Sequence, residues 1–323
     1  MARPWRIQYN GAIYHVMSRG VARGIIFLAD EDYRQFLEYL ERVTEKFGLE
    51  IFAFVLMENH YHLFLRTKEA NLSKAIQWLQ TSYGVYYNRR HNRSGHLFQG
   101  RYKSILVDEE FYWQHLSFYI HLNPIRAGIV RELNDYRWSS YHDYVRTKKV
   151  HKWVLSEEVL RGLDRTEEKA KIKYQELIME ASGQEKKILE EIKYGLVLGS
   201  DKFVSWVKEK FVNPKVIDRE LPQQRMFGEE EITERILNGV MEEFGVDREK
   251  LTKRKRLREE IARDVAIYIL YSRTGLSNKS IGEIFEVSPT AIGKTGIRIK
   301  EHIKEDKEFK NKVEKIVNSV FEV

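Results

Sequence analysis

The 323-residue chain carries 55 Lys and Arg against 48 Asp and Glu, a net charge of +7, with 42% hydrophobic residues and no cysteine. That length and apolar content suffice for two modest cores, so two or three domains are expected; the lack of cysteine excludes a disulfide framework, a thiolate zinc site and cysteine-nucleophile chemistry. A basic excess among plentiful acids points to patches that suit a polyanion, the plainer alternative being a basic protein with no nucleic-acid partner. Residues 1–14 hold no apolar run of signal-peptide type, and no later stretch approaches the ~20 apolar residues of a membrane span, so a soluble cytoplasmic protein without a membrane partner is expected.

Residues 12–18 alternate as a strand does, and 19–24 read as a basic turn containing Gly20 and Gly24. A helix is expected over 30–47, where Tyr33, Phe36, Leu37, Leu40, Val43 and Phe47 recur at helical spacing between a capping Asp30 and a terminating Gly48. Strands over 50–56 and 61–67, joined by Met57-Glu58-Asn59, read as a hairpin. A second helix is expected over 72–91, a strand over 101–107, and a helix from about 109 to 122 that Pro124 ends.

The order strand, helix, strand, strand, helix, strand predicts an α+β, ferredoxin-like domain at 1–146, an antiparallel sheet with helices on one face. Residues 147–228 read as a helical connector, charged and helical over 156–211, then a linker from Asn213-Pro214 to Gly228. The third region, 229–323, is expected to be all-helical, with helices over 232–244 and 255–273. No internal repeat or low-complexity tract is visible.

His60-Tyr61-His62 opens a predicted strand, so both imidazoles can converge on one ion while Tyr61 points into packing. The spacing alone is a weak signal, and two histidines satisfied by hydrogen bonds at a sheet edge would give the same pattern. Their place on an apolar hairpin strengthens it, because polar side chains buried there need a partner. With no cysteine and no third histidine nearby in the sequence, the ion fits labile Mg2+ or Mn2+ better than a structural zinc.

Further on, Tyr119 and Asn123 stand four apart on one helical face and can reach the same ligand. Most tyrosines on helices are core residues; a free phenol has a pKa of ~10, so only about one in a thousand is ionised at pH 7, and a nucleophilic tyrosine needs help from its site. A Lewis-acid ion on the scissile phosphate can give that help.

The motifs His60-Tyr61-His62, Gln99-Gly100-Arg101-Tyr102-Lys103 and Tyr119-Ile120-His121-Leu122-Asn123-Pro124-Ile125-Arg126-Ala127-Gly128 resemble the REP-associated tyrosine transposases of the single-tyrosine HUH superfamily. The similarity extends to Tyr14-His15-Val16-Met17-Ser18-Arg19-Gly20 and Tyr136-Arg137-Trp138-Ser139-Ser140-Tyr141, covering about residues 5–145. The resemblance implies that His60 and His62 bind Mg2+ or Mn2+, that Asn123 is the third ligand, and that Tyr119 forms a 5′-phosphotyrosine and frees a 3′-hydroxyl. It implies imperfect-palindrome DNA hairpins with single-stranded flanks as substrates. Val21 departs from the family, which commonly has asparagine after Ser-Arg-Gly. Tyr102, Tyr112 and Tyr141 are rival nucleophiles, otherwise packing or DNA-stacking residues.

Arg19, Arg89, Arg90, Arg93, Arg101, Tyr102, Lys103 and Arg126 interleave with aromatics as phosphate contacts and base-stacking platforms would. A solvated helix terminus would also be cationic. In the third region, Ala262-Arg263-Asp264 through Ile284-Phe285 is similar to the DNA-binding domain of the replication initiator DnaA. The Gly-Arg-Asp-His-Ser-Thr signature of that domain is absent, replaced by Val287-Ser288-Pro289-Thr290-Ala291-Ile292, so origin specificity does not transfer. The spacing reads as a helix-turn-helix capped at Ser288, with Thr290, Lys294 and Arg298 toward duplex DNA and Lys253, Arg254 and Lys255 on backbone phosphates; a helical protein-interaction module is the alternative. Together the readings predict metal-dependent cleavage and rejoining of single-stranded DNA. A non-catalytic DNA-binding regulator and an origin nickase are the competing functions.

Overall fold

In the computed structural model, which describes residues 6–108, 112–182, 192–211, 222–252, 257–274 and 276–321, the first elements appear in the expected order. β1 (Ile13–Arg19), α1 (Asp30–Phe47), β2 (Leu49–Met57), β3 (His60–Thr67), α2 (Leu72–Arg90) and β4 (Lys103–Val107) follow one another, with the strands in the order β2-β3-β1-β4. Neighbours among these four are antiparallel, as in a split βαβ arrangement.

The start of α1 differs from expectation. Its N-cap is Ala29, not Asp30, and the Asp32 carboxylate accepts from the backbone N–H groups of Leu28 and Ala29, each at 2.9 Å. A carboxylate three residues into a helix reaches back to those donors better than one at its first residue. Gly48, at φ 65°, stops the helix as expected. The Tyr61 face of the sheet is covered by α1 and α2: Phe36 lies 5.0 Å from both Tyr61 and Tyr83, and Gln80 donates to the Tyr61 hydroxyl at 2.9 Å.

The other face is covered too, which corrects the expectation of helices on one face only. There α3 (Trp113–His121) packs through Trp113, whose ring is 4.5 Å from Phe52 and 5.6 Å from Phe64. Pro124 does not end the chain's helical course; one further turn, α4 (Asn123–Arg126), carries proline in its first turn, where a missing N–H costs nothing. Behind α3 come α5 (Tyr141–Val145), α6 (Ser156–Leu160) and α7 (Glu167–Ala181), whose Tyr144, Leu160, Tyr174 and Ile178 share a core with Phe118 and Ile120.

Of the region expected as a separate connector, the described residues 147–182 and 192–207 therefore belong to the first unit, Arg6–Val207, their apolar residues such as Leu160, Tyr174, Ile178 and Leu198 sharing its core with α3. A strand in this stretch, β5 (Val197–Leu198), pairs parallel with β4 and makes the sheet five-stranded and mixed; α8 (Asp201–Phe211) follows. Two residues paired only to a distant strand leave no periodic signal.

Strand β2 would leave an open edge, but residues 138–155 close it. Leu56 N–H donates to the Trp138 carbonyl at 2.9 Å, Phe54 N–H to the Ser140 hydroxyl at 2.8 Å, and Leu155 N–H to the Ile51 carbonyl at 2.8 Å. The same serine oxygen lies 2.8 Å from His121 Nε2, and His121 Nδ1 lies 2.8 Å from the Tyr174 hydroxyl, so a buried polar chain ties α3 to the edge seal and to α7.

The second unit, Lys208–Val323, contains α9 (Pro222–Phe244), α10 (Arg248–Thr252), α11 (Leu257–Arg273), α12 (Asn278–Phe285), α13 (Pro289–Glu305) and α14 (Lys307–Phe321). Its described residues are all-helical outside the turns, as expected, but α9 begins inside the predicted linker, at a proline whose fixed φ suits a first turn. Ile236, Val240, Val265, Ile269, Ile281, Phe285, Ile292 and Ile299 form its core. The Ser277 hydroxyl caps α12 by accepting from Ser280 N–H at 3.1 Å, and Glu286 turns the chain in the left-handed region. At Gly282 an added Cβ would meet the Val287 carbonyl oxygen at 2.5 Å, so the turn between α12 and α13 closes only around glycine. Among the described residues no helix is long and apolar enough to cross a membrane.

Burial pushes His15 and His121 down from the usual 6.5 to about 3. Folding thus favours the neutral rings: their contribution is complete above the unfolded value and is lost as pH falls through 6.5 toward the folded one. Denaturant unfolding followed from about pH 7 to about pH 4.5 is expected to lose up to ~1.4 kcal/mol per pH unit for each such ring. A flat profile would contradict neutral burial.

Candidate active site

Residues two apart on a strand share a face, so His60 and His62 both project from β3 toward α3, their ring centroids 5.2 Å apart and their planes at 83°. Each ring makes its hydrogen bond through Nδ1, His60 with Asn59 Oδ1 at 2.6 Å and His62 with Nε2 of His15 at 2.8 Å. No hydrogen bond is made by either Nε2 among the described residues, so these are the nitrogens that can take a metal. Burial holds both rings below the usual histidine pKa, His62 well below it, which keeps them in the neutral form that ligates.

Tyr119 is delivered to the same place by α3. Its ring centroid lies 5.7 Å from that of His62 and 5.7 Å from that of His15, edge-on to both, and the residue is 7% exposed. One turn on, Asn123 Nδ2 donates to the Tyr119 carbonyl at 2.7 Å and to the Ile120 carbonyl at 3.3 Å. The carboxamide thereby caps the end of α3 with its nitrogen, leaving Oδ1 as its only atom able to ligate. Arg126, two turns beyond Tyr119 on the same face, holds its guanidinium 4.9 Å from the Tyr119 ring.

The rival tyrosines are engaged elsewhere. Tyr141 is buried, 5.8 Å from the His121 ring, and Tyr112 is the N-cap of α3. Tyr102 is buried beneath the Arg6 guanidinium at 3.8 Å, with its hydroxyl 3.0 Å from Ser73 Oγ. It is therefore not the exposed stacking platform expected of it; Tyr87, on the inward face of α2, and Phe98, in the loop that follows, are buried as well.

The cations of that stretch do remain at the surface. Arg89, Arg93, Arg101 and Lys103 are exposed, Arg93 lying 5.7 Å from the Tyr87 ring centroid. Arg90 is paired with Glu31 at 3.2 Å, and Arg19 donates to Gln99 Oε1 at 2.6 Å. In the second unit Ser288 is the N-cap of α13, though its hydroxyl lies 3.3 Å from that of Thr290 and bonds no backbone N–H; Thr290 and Lys294 are exposed. Arg298 is ion-paired with Asp264 of α11. Lys253, Arg254 and Lys255 lie outside the described residues.

Two site residues escaped the sequence reading. His15 is the third histidine that seemed absent: it lies 47 positions from His62 in the chain and is brought beside it by the β1–β3 pairing. Asn59, read only as a turn residue, orients His60. Among the described residues no group of three His, Asp or Glu side chains is arranged to hold a metal, so the candidates for a ligand set here are the two free imidazole nitrogens of His60 and His62, with the Asn123 carboxamide oxygen one turn beyond Tyr119. Such a set fits a weakly held Mg2+ or Mn2+ that keeps most of its waters.

Comparison with known proteins agrees with the motif resemblance. Residues 8–123 match the family model described as "Transposase IS200 like", a span that takes in His15, His60, His62, Tyr119 and Asn123. A Haemophilus influenzae protein described as a REP-associated tyrosine transposase is 26% identical over 130 residues, 36% of this chain and 73% of that protein. A solved structure of a REP-associated tyrosine transposase bound to a REP hairpin aligns with 44% of this chain and 84% of that one, at 19% identity and a TM-score of 0.39. The first unit is thus similar to tyrosine transposases, and the family match stops short of the second.

The loop after β1 supports the site through close backbone packing. Gly20 N–H donates to the Asn59 carbonyl at 2.9 Å, and an added Cβ on Gly20 would stand 2.1 Å from the Gly24 carbonyl oxygen. Gly20→Ala is expected to push this loop off Asn59 and to cost about 1–3 kcal/mol of stability. Thermal melting checks it, and an unchanged midpoint would show that the loop yields freely.

Proposed function

We propose that the first unit cuts and rejoins single-stranded DNA through Tyr119, acting on hairpins. The observation that carries this reading is the meeting of the Tyr119 ring with the His62 ring at 5.7 Å, on a face where both His60 and His62 keep Nε2 unengaged. Mg2+ or Mn2+ held by Nε2 of His60 and His62 and by Oδ1 of Asn123 would supply Lewis-acid polarisation of the scissile phosphate.

The chain's own residues do the rest. Tyr119 Oη forms a bond to phosphorus as the bond from phosphorus to the 3′-oxygen breaks; the phenol gives up its proton and the departing 3′-oxygen takes one up. The product is a 5′-phosphotyrosine and a free 3′-hydroxyl, and attack by such a hydroxyl reverses the step and reseals the strand without ATP. Arg126, beside the phenol, offsets the negative charge of the incoming phosphodiester. Asn123 fixes the end of the helix and with it the placement of Tyr119. The hairpin preference is supported by the relative solved with a REP hairpin and by the exposed Arg89, Arg93, Arg101 and Lys103.

For the second unit the reading is duplex binding, with α13 in a major groove. Thr290 and Lys294 face solvent on its first turns, while the ion pair of Arg298 with Asp264 braces the helix against α11.

Incubating labelled hairpin DNA with Mn2+ and the protein is expected to give cleavage and a covalent adduct that peptide mapping locates at Tyr119. Tyr119→Phe should abolish both while hairpin binding persists, and His60→Ala should remove the metal-dependent cleavage alone. An adduct at Tyr112 or Tyr141 would overturn the assignment. Lys294→Ala is expected to weaken duplex binding by a similar factor on every sequence and to lower the salt slope by about one; titrations at several salt concentrations read this out.

A further inference from the structure

The two histidines of the site are held by different partners in the same way. His60 Nδ1 lies 2.6 Å from Asn59 Oδ1, and Asn59 Nδ2 donates to the Arg23 carbonyl at 3.2 Å. That second bond decides which end of the carboxamide faces the ring: Oδ1 can only accept, so the proton is on His60 Nδ1 and Nε2 is bare. The Arg23 carbonyl is held in place by a chain that runs through the left-handed region at Ala22 (φ 51°) and Arg23 (φ 61°).

For His62 the partner is another ring. His15 Nε2 and His62 Nδ1 are 2.8 Å apart, the rings are within 24° of parallel, and both residues are buried, at 1% and 6% exposure. One proton occupies such a contact between neutral rings. If it sits on His15, then His62 carries its own proton on Nε2 and has no lone pair to offer. If it sits on His62 Nδ1, Nε2 is bare, as in His60. Attack of a metal on His62 Nδ1 is blocked by His15 itself.

We infer that His15 is a positioning residue: by accepting the Nδ1 proton of His62 it sets that ring's tautomer and aims Nε2 at the metal, as Asn59 does for His60. The inference rests on the metal-site reading, and the experiment separates the two.

In metal-free protein labelled with 15N-histidine, long-range 1H–15N correlation is expected to find the His62 proton on Nδ1, with coupling across the hydrogen bond to His15 Nε2; a proton on His15 Nε2 overturns the inference without any substitution. Mn2+ titration by calorimetry then tests the consequence. His15→Leu is expected to weaken Mn2+ binding about 10–100-fold, and His15→Gln, which keeps an acceptor, to recover most of that loss. A merely structural His15 would lower the melting temperature in both variants without separating their Mn2+ affinities. Should His60→Ala bind Mn2+ as the wild type does, the metal-site reading falls and this inference with it. Should His60→Ala lose binding while His15→Leu and His15→Gln both bind as the wild type, only the role of His15 is refuted.

Discussion

The antiparallel register between β1 and β3 is the constraint on which the site depends. It sets Met17 opposite His62 and His15 opposite Phe64, so that a histidine from each strand reaches the face beneath α3. Because strand side chains alternate, a slip of one residue would send His60 and His62 into the aromatic packing around Phe36 and Tyr83, and would bring Tyr61 under the helix. Register is fixed here by burial on both faces: Tyr61, Leu63, Phe64 and Leu65 are each fully buried. A sheet clothed on both sides is the reason that polar side chains can be held to one arrangement in its middle.

Positioning Tyr119 needs the opposite layer to be equally rigid. The helix that bears it is pinned at its start by Trp113 against Phe52 and Phe64, and at its end by the His121 contacts with Ser140 and Tyr174. The edge seal on β2 shares Ser140 with this chain of contacts, so β2, the hairpin partner of the strand bearing His60 and His62, and the helix bearing the phenol are joined through one buried hydroxyl. This gives residues 138–181 a physical task in the site without any of them facing it. The part of the expected connector that packs here is structural support for α3, and without its Leu160, Tyr174 and Ile178 the core residues Phe118 and Ile120 would lose their cover.

How much of this was legible in the sequence follows from the range of each interaction. The alternation at His60-Tyr61-His62 and the four-residue spacing of Tyr119 and Asn123 are local, and they set the two imidazole rings 5.2 Å apart and Asn123 one turn after Tyr119. The bounds of α1 and the stop at Gly48 are local too. What escaped depends on contacts between distant segments. His15 becomes part of the site only through strand order, β5 exists only because β4 offers an edge, and the burial of Tyr102 requires Arg6 above it. Aromatics interleaved with cations on α2 carry the pattern of a nucleic-acid surface, yet Tyr83 and Tyr87, four apart, form the face that packs inward, while Arg89 and Arg90 reach solvent and Tyr86 is only partly buried.

The openness of the donor set has a chemical consequence. Two imidazoles and one carboxamide carry no net charge, and all three are already committed on their other atoms: to His15, to Asn59 and to the carbonyls that end α3. A divalent ion there would keep most of its positive charge unneutralised by protein ligands, which would suit the phosphodiester substrate of the proposed function. Adding carboxylates would tighten the ion and repel the substrate at once. Under the proposed reading, weak metal binding and strong polarisation of the phosphate would be two results of one choice of ligands, with the supporting bonds leaving the rings few other orientations.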